Sequence, residues 1–152
     1  MKKILFAITV AFLLASCSTN TLYDESMVIP DAKWDVDVRP YFDVTVDDTL
    51  ADYAFYLNIR HLENYRYSNL YIFMHTEFPN GHITHDTIEC ILAMPDGRWM
   101  GKGSGTIRSA KILLNPALRF PLRGNYLFEI EQAMRDKELK GITDIGICFD
   151  KQ

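Results

Sequence analysis

The sequence predicts an all-β protein, an antiparallel β-sandwich for which a jelly-roll arrangement is one candidate topology. Three observations lead to this fold class. Eight Tyr and nine Phe among 152 residues favour pleated sheet. Apolar and polar residues alternate over several stretches, as they do in strands with one buried face. Turn signals separate about eight such stretches at spacings typical of sandwiches.

The longest alternation runs from residue 34 to residue 46. Side chains on one face of this stretch are Trp34, Val36, Val38, Pro40, Phe42, Val44 and Val46. Successive side chains in a strand point to opposite faces, so these residues form the predicted buried face. Pro40 cannot donate a ladder hydrogen bond, and it therefore marks an edge, a bulge or a break between two short strands.

The remaining strands are predicted from the same alternation of apolar and polar residues. They are predicted at 53–60, 70–75, 84–93, 98–100, 105–113, 126–132 and 145–149. The stretch 70–75 is apolar on both faces, which is typical of a central strand covered on both sides. Pro-Asn-Gly at 79–81 and Pro-Asp-Gly at 95–97 are turn sequences.

One segment departs from this rhythm. Residues 132–140 contain good helix formers, and Gly141 follows them as a typical helix stop. The sequence therefore predicts one short helical segment near 133–140.

The N-terminus has the pattern of an export signal. Two lysines precede an apolar run at 4–14, which is shorter than the roughly 20 residues that span a bilayer and matches a secretory signal. The sequence from Leu14 to Cys17 looks like a bacterial lipobox, in which cleavage precedes the Cys and the Cys receives the lipid. A plain signal peptide with an incidental Cys is the alternative.

This reading divides the chain into three parts. Residues 1–16 are the predicted lipoprotein signal peptide, 17–30 the lipidated Cys17 with a flexible tether, and 31–152 a single β-sandwich domain. With Cys17 lipidated, Cys90 and Cys148 are the two cysteines left that could form a disulfide. Export permits a disulfide between them, but Cys90 lies in an apolar stretch, so two buried thiols are favoured over a bridge.

Several kinds of chemistry find little support in the sequence. A net charge of −4 gives no basic surface for nucleic acid. The glycine-rich stretch 97–105 lacks phosphate-loop spacing, and its alternate glycines are more typical of bulges or close backbone approach. The histidines at 75, 82 and 85 have no zinc-like spacing, and no catalytic motif is present, so we expect no metal, no cofactor and no enzymatic activity.

An aromatic and polar group is the candidate interaction surface. Its members are Tyr65, Tyr67, Asn69 and Trp99. Such side chains can line a groove for a saccharide or a protein. The competing interpretation is that these aromatic residues fill the space between two sheets.

The order of several motifs shows a family resemblance. The motifs are the lipobox and the stretches Arg60–Leu70, Asp96–Gly103, Gly124–Arg135 and Leu139–Gly146. In this order they resemble the GldH family of gliding-motility lipoproteins from Bacteroidetes-type bacteria, and the resemblance extends over nearly the whole chain. The resemblance carries over only Cys17 as a functional position, because the family has no agreed catalytic residues.

The resemblance implies a lipid-anchored component of a gliding machinery linked to type IX secretion. We therefore expect a non-enzymatic accessory or scaffold of an envelope assembly, with the bilayer and envelope proteins as partners. Ser18 after Cys17 is compatible with outer-membrane sorting, and the acidic residues at 24 and 25 come late for a surface-export signal. These features favour the outer membrane with the domain facing the periplasm. A saccharide-binding surface lipoprotein is the alternative function.

Overall fold

The computed structural model describes residues 20–103 and 105–152, which form strands joined by short turns. The strands are β1 (Thr21–Val28), β2 (Lys33–Asp35), β3 (Tyr41–Val46), β4 (Tyr53–Leu62), β5 (Asn69–Glu77), β6 (Ile83–Ile91), β7 (Ile107–Leu118), β8 (Gly124–Gln132), β9 (Glu138–Lys140) and β10 (Ile142–Lys151). A single 3₁₀ turn, Pro30–Ala32, is the helical element of this described part of the chain. The all-β prediction is confirmed.

The strands form two four-stranded antiparallel sheets. The first sheet has the order β1-β10-β4-β7, the second has the order β3-β8-β5-β6, and β2 pairs with β9 in a small separate ribbon. Among the eight long strands, the first pairs with the last, the second with the seventh, the third with the sixth and the fourth with the fifth. That pairing is a long antiparallel ribbon folded over on itself, which is the jelly-roll arrangement.

The predicted alternation places the core between the two sheets. In β3, Phe42, Val44 and Val46 are buried while the residues between them are exposed. The predicted strand 34–46 is interrupted, because β2 ends at Asp35 and β3 begins only at Tyr41. Pro40 therefore marks the break between two short strands, and Val38, in the linker, is 46% exposed.

The predicted tether, residues 17–30, is too long, since residues 21–28 form strand β1. This strand pairs along its length with β10, from Thr21 opposite Asp150 to Val28 opposite Asp144. Apolar and polar side chains are mixed in it, and its last five residues are exposed, because β1 is an edge strand of the first sheet. Backbone pairing stabilises it, and composition alone gives no sign of that pairing.

The predicted helix near 133–140 is wrong. Residues 133–137 form an irregular turn, and residues 138–140 form β9, in which Leu139 pairs with the buried Trp34. The buried Gln132 amide holds the turn, because its Nε2 donates to the Asp136 carbonyl at 2.8 Å and its Oε1 accepts from the Met134 N–H at 2.9 Å. These contacts outweigh the small helix preferences of the individual residues.

Replacing Gln132 with Met tests this account of the turn. Gln132→Met keeps the side-chain length but removes both hydrogen bonds, so we expect a loss of about 1–3 kcal/mol in the free energy of unfolding. Urea denaturation followed by tryptophan fluorescence measures the loss. Arg135→Met, at an exposed position of the same turn, is the control and should leave stability nearly unchanged. Equal stability of the two variants would contradict the assigned role of Gln132.

Candidate functional site

The two sheets are closed along one side and open along the other. On the closed side, Tyr23 of β1 packs edge-on against Phe42 of β3, with ring centroids 6.5 Å apart. On the other side, edge strands β6 and β7 leave a cleft of about 420 Å³ between the sheets. This volume is near the lower end of the ~300–1,000 Å³ typical of small-molecule sites. We call it the open-edge cleft.

The interior of the open-edge cleft is apolar and its rim is polar. Most of the interior residues are aromatic or aliphatic: Phe55, Met74, Phe78, Ile88, Leu114, Leu118, Phe120, Pro121, Tyr126 and Phe128. The remaining lining residues are Thr76, Thr84, Asp86, Thr87, Asn115 and Arg119. Such a lining suits an apolar ligand and offers few groups that fix a polar one.

The sequences of β6 and β7 explain why the cleft stays open. Thr84 and Asp86 lie opposite Thr76 and Met74 on the inward-facing positions of β6, and their short polar side chains do not fill the space between the sheets. Further along β6, the inward Cys90 is fully buried. In β7, the pairing with β4 shifts register near Asn115, so this end of the strand bends away from regular pairing.

The edges of β6 and β7 differ in protection. Lys102 pairs with Ser109 of β7 through two backbone hydrogen bonds of 2.9 and 2.7 Å. Gly101 permits this close approach, because a Cβ there would lie 2.8 Å from the Ser109 carbonyl oxygen. The expected close backbone approach is confirmed at Gly101 and Gly103, whereas a Cβ at Gly97 or Gly105 would meet nothing within 4 Å. Among the described residues, no segment pairs with the free edge of β6.

The four residues of the predicted interaction surface lie at the opposite end of the sandwich from the open-edge cleft. Tyr65 is buried, and its hydroxyl donates to the Asn69 carbonyl at 3.0 Å. Tyr67, partly exposed, donates to Asp136 at 2.8 Å, and its ring centroid lies 5.9 Å from that of Tyr65. The Asn69 side-chain amide donates to Glu89 at 2.7 Å on the outer face of the second sheet.

Trp99 packs inward onto this group. Its ring centroid lies 4.5 Å from that of His61 and 6.5 Å from that of Tyr65. The structure therefore brings Tyr65, Tyr67 and Trp99 together in one aromatic cluster, with Asn69 beside it. Tyr67 and Asn69 are the members with partly exposed side chains in hydrogen bonds to acidic partners.

Comparisons with known proteins match almost the whole domain, from β1 into β10. The family model described as GldH lipoprotein matches residues 21–148. The chain belongs to the GldH lipoprotein family. It is 34% identical over 146 residues to a "Gliding motility lipoprotein GldH homolog" of Christiangramia forsetii, covering 91% of this chain and 89% of the relative. It is 33% identical over 149 residues to "Gliding motility lipoprotein GldH" of Flavobacterium johnsoniae, covering 93% and 92%. No solved structure was found to match it.

The N-terminus of this GldH-family chain matches a second model, the prokaryotic membrane lipoprotein lipid attachment site, over residues 1–18. Cys17 is the sole cysteine of that range. The chain is therefore a lipoprotein of the cell envelope, as the sequence predicted. Within residues 20–103 and 105–152, no helix is both long and apolar enough to cross a membrane.

His61 is the residue of the aromatic cluster that sequence reasoning missed. Its Nδ1 lies 2.9 Å from the Leu62 carbonyl oxygen, so Nδ1 carries the proton and Nε2 is left buried without a partner. Burial lowers the pKa of this imidazole below its ordinary value. The signal was available, since His61 continues the inward-facing phase of Tyr53, Phe55, Leu57 and Ile59 in β4.

The GldH-family domain should lose stability in mild acid because of His61. The unfolded chain takes up a proton near pH 6.5, whereas the native imidazole does so only at lower pH. The stability that the neutral ring contributes is therefore complete above about pH 6.5, the pKa in the unfolded chain. It is progressively lost as the pH falls from there through the folded pKa. We expect His61→Phe to flatten the dependence of unfolding free energy on pH between about 7 and 5.

His82→Phe is the matched control, since His82 is exposed. It should leave the pH dependence as in the unaltered protein. An unchanged slope in His61→Phe, measured by urea denaturation across the pH range, would show that another group dominates.

Cys90 and Cys148 are both buried and both free, which confirms two buried thiols rather than a bridge. Cys90 faces the core from β6, whereas the Cys148 sulfur lies 3.4 Å from Lys111 Nζ in the first sheet. Burial raises the pKa of the Cys90 thiol to about 12 and that of Cys148 to about 11. At neutral pH both are therefore protonated and poorly nucleophilic.

Thiol alkylation tests this protonated, buried state. In native protein at about pH 8, we expect iodoacetamide to modify Cys90 and Cys148 at least tenfold more slowly than in urea. Peptide mapping by mass spectrometry reports each position separately. Rapid native modification of Cys90, or a peptide linking the two positions, would contradict the structure.

Proposed function

We propose that Cys17 carries the lipid and that the domain is a non-enzymatic accessory or scaffold of an envelope assembly linked to gliding and type IX secretion. The observation that carries the proposal is the family match across residues 21–148 together with the lipid attachment site at 1–18. The two relatives are named as gliding-motility lipoproteins. A lipid anchor would hold the domain at the membrane where such an assembly forms. The proposed location is the outer membrane, with the domain in the periplasm.

The outer faces of the two sheets differ in exposed apolar surface, and this difference supports a choice of protein-contacting surface. Both outer faces carry ion pairs, such as Lys111 with Asp150 at 2.9 Å on the first sheet and Arg39 with Glu131 at 2.9 Å on the second. The second sheet exposes more apolar side chains: Tyr41, Tyr71, Phe73, Ile83 and Ile91, against Val28 and Leu113 on the first. Exposed apolar groups beside polar ones are typical of protein interfaces. The second sheet's outer face is therefore the proposed protein-contacting surface.

The anchor is tested by removing it while export continues. Replacing residues 1–17 with a leader cut by type I signal peptidase leaves no Cys at the new N-terminus. We expect the domain to move from the membrane pellet to the soluble periplasmic fraction, because a β-sandwich alone has no anchor comparable to buried acyl chains. The unaltered chain, fractionated in parallel, is the control. Continued membrane pelleting of the leader-swapped protein would contradict the lipid anchor.

The assembly is tested by cross-linking in native membranes followed by affinity capture of the acylated protein. We expect mass spectrometry to identify gliding or secretion components, with recovery reduced severalfold in Phe73→Glu. Leu113→Glu is the matched control, because Leu113 is 50% exposed on the outer face of the first sheet, against 39% for Phe73. Recovery of envelope background alone from the unaltered protein would overturn the scaffold proposal.

The proposed location has a separate test. Density-gradient separation of the two membranes should place the protein with outer-membrane markers. A membrane-impermeant amine label should reach it only after the outer membrane is permeabilised. Labelling in intact cells would place the domain on the cell surface instead.

A further inference from the structure

The open-edge cleft lies at the end of the sandwich that the lipid holds against the membrane. β1 begins at Thr21, so residues 18–20 alone separate it from Cys17. Four extended residue steps span at most about 14 Å. The domain therefore cannot move far from the bilayer, and the end at which β1 begins faces it. This step rests on the proposed lipid at Cys17.

Strand register identifies what else lies at this end, which we call the anchor end. Thr21 pairs with Asp150, Lys151 pairs with Tyr53, and Tyr53 pairs with Leu118. The turns that begin or end at these positions, 47–52 and 119–123, join the two sheets. The hairpin turn 78–82 lies beside them, because a Cβ on Gly124 would meet Pro79 at 2.9 Å.

The open-edge cleft reaches the anchor end. Phe78 lies in the hairpin turn, and Leu118, Phe120 and Pro121 belong to the end of β7 and the turn after it. Leu50, at the tip of the neighbouring turn 47–52, is 82% exposed. The cleft thus extends to the anchor end, where Leu50 also exposes an apolar side chain.

Among the described residues that line the cleft, the basic side chain is Arg119, and it is paired with a carboxylate. Arg123, in the same turn, is exposed and lies outside the lining. Arg119 makes two hydrogen bonds of 3.0 Å to Asp52, and Lys151 lies 2.9 Å from Asp48. Asp86 adds a negative charge to the lining. Recognition in the cleft therefore depends on apolar chain and not on headgroup charge.

We propose that the open-edge cleft binds one acyl chain of a bilayer phospholipid. At ~30 Å³ for a group the size of a water molecule or a methylene, an open cleft of about 420 Å³ has room for on the order of ten methylenes. That is enough for part of one acyl chain and too little for a whole lipid. The occupied cleft completes the apolar core at its open side and fixes the domain against the membrane.

The test uses the full-length acylated protein in phosphatidylethanolamine vesicles that contain a phospholipid with a diazirine in its acyl chain. After illumination, mass spectrometry maps the labelled residues. We expect adducts on Met74, Phe78, Leu118 or Phe120. The intact mass of the purified protein, measured first, reports whether Cys17 is acylated, so a missing anchor is detected independently. The labelling requires no partner protein, so its result does not depend on the proposed assembly. Failure of the cleft proposal can therefore be distinguished from failure of the other two.

Thr84→Phe fills the cleft from its rim and should reduce these adducts at least fivefold. Thr45→Phe is the matched control, since Thr45 is exposed on the outer face of β3, away from the cleft. Leu118→Trp is a second filling variant in case Thr84→Phe unfolds, and circular dichroism checks all three. Adduct loss in a folded filling variant but not in the control supports the proposal.

Three other outcomes overturn the proposal. Adducts confined to Leu50 and its neighbours, or unaffected by the filling variants, indicate surface contact without occupancy. Cleft adducts that appear only when a diazirine fatty acid is incorporated into the Cys17 lipid itself identify the protein's own anchor as the occupant. A peptide cross-linked along β6 in native membranes, with no lipid adduct in the cleft, identifies an added strand.

Discussion

The aromatic contact between the two sheets holds the jelly roll together. Phe55 of β4 stacks on Phe149 of β10 at 4.4 Å, and both rings lie within 6 Å of Phe128 from the second sheet. These rings are adjacent only because β4 and β10 pair in one register and the sheets face each other at that level. The packing of large rings across the sheets is a major part of the apolar burial that stabilises the fold.

The aromatic packing continues toward one end of the sandwich but does not reach the edge strand β6. Phe120, from the turn after β7, packs on Phe149 at 5.2 Å and on Tyr126 at 4.9 Å, so the aromatic group continues into the anchor end. It stops at β6, because Thr84 and Asp86 carry too little apolar volume to reach β7. The open-edge cleft is therefore the continuation of the core where the sequence of one edge strand turns polar. A pocket of this origin is apolar inside and polar at its rim.

Much of the fold could be predicted from alternation, because a strand with one buried face records its orientation in its own residues. The stretches at 41–46, 53–60 and 126–132 show this directly. β1 could not be predicted, since its pairing partner β10 lies at the far end of the chain and an edge strand needs no apolar phase. The helix prediction for residues 133–140 was wrong for a related reason, because Leu139 pairs with Trp34, a residue about a hundred positions earlier in the chain.

The candidate sites also differ in how far the sequence could predict them. The aromatic cluster could be foreseen in part, since Tyr65, Tyr67 and Trp99 stand out in the sequence and do meet, and His61 was identifiable from its phase in β4. The open-edge cleft could not, because it depends on which two edge strands face each other across the sandwich. Sequence shows that β6 is polar at 84 and 86, but only topology shows that β7 faces this gap.

The two ends of the sandwich carry different constraints. At the anchor end, the charges of Arg119 and Lys151 are paired within the domain, and the open-edge cleft and Leu50 expose apolar surface. At the other end, the aromatic cluster is packed around His61 and tied to the turn at 133–137 through Tyr67 and Asp136. In the proposed arrangement, the lipid on Cys17 holds the exposed apolar surface of the anchor end against the bilayer. The second sheet's outer face, perpendicular to that end, would then be accessible to a protein partner. The proposal therefore assigns a lipid-facing and a protein-facing surface to a single small domain.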